Sequence, residues 1–384
     1  MELTDPLMES TALWYVGGRA CELRTRPLPE PGANQVLVVA THGAVSRGTE
    51  TLVLEGLVPA SESERMRCPH MDGAFSFPAK YGYVSVGYVA RCGAGAEALQ
   101  GQRVFCLHPH ETAYVVDAAM ANPIPAGTQS PRAVLAPNLE TAINVVWDAK
   151  ISVGDRVAVV GAGVVGCLVA YVASKIPGCA VVLVDVNPAR RRVAERLGVG
   201  FRLASDLDAS DGDRDVVVHA SGHPAGAATA LGLAGDEALV VEASWYGARP
   251  VALPLGEAFH ARRLTLRSSQ VGQLPADRRP RWTYARRLAV ALDLAADPTL
   301  DVLFEDVDLC FERLHEEIPR VCGDGASGLC HRIFYPARPV DVGAGWSSVY
   351  SQAKGRPYYT NETAGTTRWK PPDHLPGPPA NAPH

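Results

Sequence analysis

The chain has 384 residues, 47% apolar and only 20% charged, which is enough for two or three domains and specifies a buried core rather than a disordered polymer. Its 36 basic and 41 acidic side chains leave a net charge of −5, so no global positive field holds nucleic acid or an anionic membrane surface. Nine scattered cysteines without a CxxC pair read as reduced thiols of a cytoplasmic protein, and the acidic start Met1-Glu-Leu-Thr-Asp-Pro has no apolar region of a leader peptide.

Over residues 11–135, short alternating runs at 35–40, 83–89 and 103–107 are broken by Gly, Pro and Asn, an all-β pattern of the barrel type. Between 136 and 299 the pattern changes. Apolar runs at 156–160, 180–184, 215–219, 238–242 and 264–267 alternate with Ala- or Arg-rich helical stretches, and this spacing predicts βαβ units and a parallel sheet. The uncharged window 157–174 has the length of a membrane span, but its glycine-punctuated first half reads as strand, turn and helix. Short β-like pieces return over 300–336. Beyond Pro336 the chain becomes polar, aromatic and proline-rich, ending in a 375–384 segment with a Pro-Gly-Pro-Pro run.

The sharpest motif is Val157-Ala-Val-Val-Gly161-Ala-Gly163-Val-Val-Gly166. It is a GxGxxG between a predicted strand and helix, where bare glycines permit a tight turn, close approach of a pyrophosphate and close helix–sheet packing. The next strand ends in Asp185, 19 residues past Gly166, where a carboxylate accepts from the ribose hydroxyls of NAD and repels the 2′-phosphate of NADP. Arg190 and Arg191 follow and keep NADP open as an alternative.

A β-rich front, a dinucleotide-binding middle and a return to the front resemble the medium-chain dehydrogenase/reductase superfamily. The resemblance rests on Ser46-Arg-Gly-Thr-Glu50, Leu139-Glu-Thr-Ala142, the glycine motif and the run from Asp215 to Gly222. Within the superfamily the chain looks most like the bacteriochlorophyllide-a dehydrogenase-like group. The resemblance implies an α/β protein with a GroES-like β-barrel substrate domain over 11–135, completed by 300–336. It also implies a doubly wound Rossmann domain over 136–299, an active cleft between the two, a small-molecule substrate and a homodimer. It places Ser221 near the cofactor and Thr141 near the nicotinamide.

Zinc-dependent members carry cysteine and histidine where this chain has Arg47 and Tyr83, and near the third ligand it offers Pro137, Asn138 and Glu140; the usual soft zinc site is not expected. Proton removal then falls to side chains, with Thr49 and Glu50 in the relay turn and Glu140 and Tyr83 as the other candidates. A different metal site could use Cys68, His70, Cys106, His108 and His110. The alternative to an enzyme is a cofactor-binding adaptor without turnover.

The tail over 341–374 resembles a WW domain. Trp346 and Trp369 lie 23 positions apart with Tyr358-Tyr359 between them, and Gly355 and Gly365 fall in predicted hairpin turns. The resemblance implies a three-stranded antiparallel sheet in which Trp346, Tyr359 and Pro372 cluster on one face. Tyr358, Thr367 and Trp369 would line the other, a groove for a proline-rich peptide. Glu362 stands where tyrosine-ending motifs meet a histidine.

Overall fold

The computed structural model describes residues 9–375 apart from 324, 325, 327, 338, 352, 355, 362, 373 and 374. Gly355, Glu362 and the segment 376–384 thus lie outside the described residues. The chain forms two compact units, one of residues 1–134 and 305–384, the other of 135–304.

The first unit is built on antiparallel pairing. Gln35–Val45 is its central strand, buried along almost its whole length, with an apolar run from Val36 to Ala40 followed by buried Thr41 and His42. It pairs with Ser85–Cys92, Ala113–Asp117 and the returning strand His331–Phe334. The long excursion through the second unit is therefore closed by hydrogen bonds from His331 to Phe334 against Val45 to His42. A second sheet pairs Glu9–Gly17 with Ala20–Pro27 and with Ala79–Lys80. Leu13, Tyr15, Val53, Phe311, Leu314 and Ile333 form a core beneath it.

The C-terminal sheet runs Val340–Gly343, Trp346–Ser351, Arg356–Asn361, Thr366–Arg368, each strand antiparallel to the last. The three expected strands are present, preceded by a fourth. Alternation splits the side chains into two sets. Ser348, Tyr350, Pro357 and Tyr359 are buried, and Tyr350 joins a core with Leu28, Leu37, Val39 and Tyr88 of the front strands. A sheet this small has too little area to bury a core of its own, and it covers one face with the larger domain.

The second unit holds a six-stranded sheet, parallel throughout. In chain order the strands are Arg156–Val160, Ala180–Asp185, Gly200–Leu203, Arg214–His219, Ala234–Glu242 and Thr265–Ser268. In space they lie third, second, first, fourth, fifth, sixth. That order is the doubly wound arrangement with its reversal between the first and fourth strands, where such sheets take ligands at their C-terminal edge. The window 157–174 divides into the first strand, a turn and the helix Val164–Ser174, and among the described residues no helix is long and apolar enough to cross a membrane.

Candidate functional site

At the reversal of the parallel sheet, the first strand runs into the glycine motif. Gly161 has φ +105°, open to glycine at little cost, and a side chain there would put its first carbon 2.6 Å from the Ser221 amide nitrogen. Gly166 packs closer still, its absent Cβ falling 1.8 Å from the Gly161 carbonyl oxygen. Beside Gly163 nothing lies within 4 Å. The outer two glycines thus press strand, turn and helix together, while the middle one leaves open space at the amino end of the helix Val164–Ser174. Bare backbone with room at a helix amino terminus fits a pyrophosphate.

Asp185 ends the neighbouring strand. One carboxylate oxygen accepts from the Ala162 amide at 2.6 Å and the other from the Asn187 amide at 2.8 Å. The carboxylate of Asp185, the residue expected to recognise a ribose, thus fixes the glycine turn, a task that the motif's spacing does not convey. Arg190 opens the helix Arg190–Leu197 and is half-buried. Arg191 lies over the Phe201 ring at 5.0 Å.

Ser221 follows the fourth strand, in the turn before the helix Pro224–Leu233. Its Oγ is 2.6 Å from His219 Nε2, and His219 Nδ1 is 2.8 Å from a Glu242 oxygen. His219 and Glu242 end adjacent parallel strands and face one another in register. Burial pushes the Glu242 carboxyl up, but hydrogen bonds from His219 and the Ser244 amide outweigh it and hold the group below its ordinary value. Tyr246 Oη donates to the same carboxylate at 3.1 Å. Sequence reasoning selected Ser221 and missed His219 and Glu242. The available signal was two buried-strand runs that both end in an ionisable residue.

Glu140 lies in the helix Ala136–Asp148 and is buried against Arg287 at 3.0 Å, while Arg287 also donates to Asn144 at 2.7 Å. Burial raises the Glu140 carboxyl's pKa, with the guanidinium opposing. Thr141 spends its hydroxyl on the Pro137 carbonyl at 3.0 Å.

In the first unit, Thr49, Glu50 and Tyr83 come together around the turn at Ser46. Glu50 is fully buried, accepting from Tyr15 Oη at 2.6 Å and the Ser46 amide at 2.6 Å, with His110 Nε2 at 3.0 Å. Burial alone would raise its carboxyl, but His110 and these donors hold it below the ordinary value. Tyr83 Oη bonds Ser46 Oγ, and burial pushes the phenol up to about 12. Arg47, expected from the resemblance to replace a zinc-ligating cysteine, donates to the Gly328 carbonyl at 2.6 Å. A guanidinium and a phenol do not make the soft donor set of a catalytic zinc.

Among the residues suggested as another metal set, His70 and His108 stack on each other with centroids 5.1 Å apart. His108 stacks on Tyr114 with centroids 3.6 Å apart, His110 holds Glu50, and among the described residues no cluster of three His, Cys, Asp or Glu is placed to hold a metal. Nearby, Lys80 is buried between Glu111 at 3.0 Å and Asp72 at 2.7 Å, a network with no sequence signature.

On the C-terminal sheet, Tyr358 and Trp369 meet edge to face with centroids 5.6 Å apart, and Arg356 lies over the Trp369 ring at 4.9 Å. Thr367 pairs with Thr360, two residues along from Tyr358, so the three expected peptide-binding residues share one face. Trp369 is 42% exposed. Pro372 is buried and Trp346 half-buried beneath Arg368, whose guanidinium is 4.5 Å from its ring.

No protein-family model matches the sequence. Solved structures match it in fold. L-idonate 5-dehydrogenase from Escherichia coli K-12 is 18% identical with a TM-score of 0.67, over 85% of this chain and 98% of that one. A short chain alcohol dehydrogenase from E. coli CFT073, complexed with NADH, gives 16% and 0.66 over 85% and 99%. For 2R,3R-butanediol dehydrogenase from Bacillus subtilis the values are 16% and 0.67, again over 85% and 99%. At these identities the likeness is one of fold: this chain carries the architecture seen in those dehydrogenases.

Proposed function

We propose that the protein is a nicotinamide-dependent oxidoreductase of the medium-chain dehydrogenase/reductase type that works without the usual catalytic zinc and prefers NAD to NADP. The observation that carries this reading is the open backbone at Gly163, at the sheet's reversal point, with Asp185 locked onto the same turn. Gly161, Gly163 and Gly166 would hold the pyrophosphate, and the Asp185 carboxylate the adenine-side ribose. When bound, the nicotinamide supplies hydride transfer to or from an alcohol, a carbonyl or a polarised double bond of a small molecule. The chain's part is to bind and orient. The helix Val164–Ser174 offers its amino end to negative charge, and Asp185 keeps the turn in the binding shape whether or not a ligand is present. Titration of the full-length protein with NADH and NADPH, followed by nicotinamide fluorescence, tests the reading. Saturable binding with NADH tighter is expected; absence of binding to either overturns it.

A second reading is favoured by one observation: Glu50 and Glu140, the two carboxylates best suited to acid–base work, are both consumed in buried pairs. In that reading the chain is a cofactor-binding adaptor without turnover, acting through the Tyr358–Trp369 face on proline-rich partners. Cofactor oxidation or reduction across a panel of alcohols, ketones and enones separates the two.

A further inference from the structure

The hydrogen-bonded chain at the end of the fourth and fifth parallel strands has the connectivity of a nucleophile, its base and the base's orienting carboxylate. The Glu242 carboxylate only accepts, which places a proton on His219 Nδ1; in the neutral imidazole Nε2 then carries the lone pair toward Ser221. The Ser221 hydroxyl can then donate along the 2.6 Å contact to Nε2, while its oxygen accepts from the His223 amide at 3.2 Å. The imidazole is buried, at 1% exposure, whereas Ser221 lies exposed in a strand–turn–helix corner. A buried base behind an exposed hydroxyl is what nucleophilic catalysis needs.

Gly226 supports the same arrangement from the following helix. A Cβ there would fall 2.3 Å from Ser221 Oγ and 2.7 Å from His219 Nε2, so the serine–histidine contact requires a bare residue at 226. The glycine turn stands against the Ser221 backbone, which brings the corner beside the amino end of the helix Val164–Ser174. Negative charge developing on a carbonyl oxygen there is stabilised by that helix end.

We propose that Ser221 is the nucleophile of an ester-cleaving site for small activated carboxylic esters, with His219 as its base and Glu242 as the residue positioning that base. Ser221 Oγ attacks the acyl carbon while its proton passes to His219 Nε2. The bond from acyl carbon to the leaving alcohol breaks, and the alcohol departs with that proton. Water then attacks the acyl-serine, its proton going to Nε2 and on to the released Oγ, so ester and water become acid and alcohol without any redox change. The site needs neither a cofactor nor a metal; it shares the amino end of the helix Val164–Ser174 with the proposed pyrophosphate site, so its test is run without nicotinamide and its readout, labelling of Ser221, is distinct from cofactor binding.

The test uses the full-length protein, a fluorophosphonate probe and p-nitrophenyl acetate, with intact and peptide mass spectrometry to locate the adduct. A single adduct on Ser221 is expected, with ester turnover above buffer that Ser221→Ala removes. His219→Gln should slow labelling about 100-fold or more. Gly226→Ala, which keeps all three groups but wedges serine from histidine, should do likewise. Glu242→Gln should slow labelling about 10-fold or more, with Glu242→Asp restoring part of the rate. No adduct, an adduct on another residue, or labelling of Ser221 that His219→Gln leaves unchanged at an unaltered melting temperature overturns the proposal.

Discussion

Tyr350 of the C-terminal sheet stacks on Tyr88 of the central antiparallel sheet, with ring centroids 5.5 Å apart and planes 19° from parallel. The contact makes the C-terminal sheet part of the first unit's core, and Tyr359 extends it: a side chain at Gly101 would meet the Tyr359 hydroxyl at 3.3 Å. Tyr350→Ala should therefore cost about 3 kcal/mol, the usual scale for emptying a buried aromatic site. It should also expose 340–372 to limited proteolysis, while Val349→Ala on the opposite face leaves digestion unchanged.

On the proposal that the Tyr358–Trp369 face takes proline-rich peptides, Trp369→Ala should abolish that binding to the full-length protein and leave its melting temperature within about 1 °C, because Trp369 is partly exposed on the face away from the core. Fluorescence polarisation with a labelled decaproline peptide reads the loss. Tyr358→Ala should weaken the same binding, since it removes the ring against which Trp369 packs.

Asp185→Ala should weaken NADH binding and narrow its advantage over NADPH. The carboxylate that repels a 2′-phosphate is gone, and the Ala162 amide loses its 2.6 Å partner. Because Asp185 also fixes the turn, binding of both cofactors should fall, by about 10-fold for NADH and less for NADPH. Paired titrations check both numbers.

Glu140→Gln should destabilise the protein by about 3 kcal/mol, since it leaves the Arg287 guanidinium buried without its counter-charge. Replacing both, as Glu140→Leu with Arg287→Met, should recover most of the loss in a urea melt. Recovery of stability without recovery of turnover would show that the Glu140–Arg287 pair serves the reaction as well as the fold.

Glu50 ties stability to pH. Its carboxyl ionises more readily in the folded chain than at the ordinary 4.5, because His110, Tyr15 and the Ser46 amide outweigh the cost of burial. A carboxyl with a depressed folded pKa contributes stability in full above its unfolded value and loses that contribution as pH falls through the folded one. Urea midpoints should therefore drop between pH 6 and pH 3, about the range in which carboxyls titrate. Glu50→Gln should lower the midpoint at neutral pH and flatten this dependence.

The sequence by itself determined the parallel sheet and its glycine turn. Five strands of that sheet were legible as apolar runs, and the strand Arg156–Val160 falls where its run predicts. For the inner strands the reason is local: a strand covered on both faces is largely apolar, and a turn with Gly161 at φ +105° favours glycine, whereas the edge strand Thr265–Ser268 is mostly exposed. The shared face of Tyr358 and Trp369 was expected only from the resemblance of the tail to a WW domain, and the pairing of Thr360 with Thr367 is what brings the two rings together. Tertiary structure decided which ionisable groups meet. Glu140 finds Arg287 147 positions away, and Glu50 finds His110 60 positions away. His219 and Glu242 become partners only because two parallel strands align in register. Burial makes such pairings obligatory, since a charge withdrawn from water must be met by another group. Their partners are set by the packing of whole elements, which no local run of residues encodes.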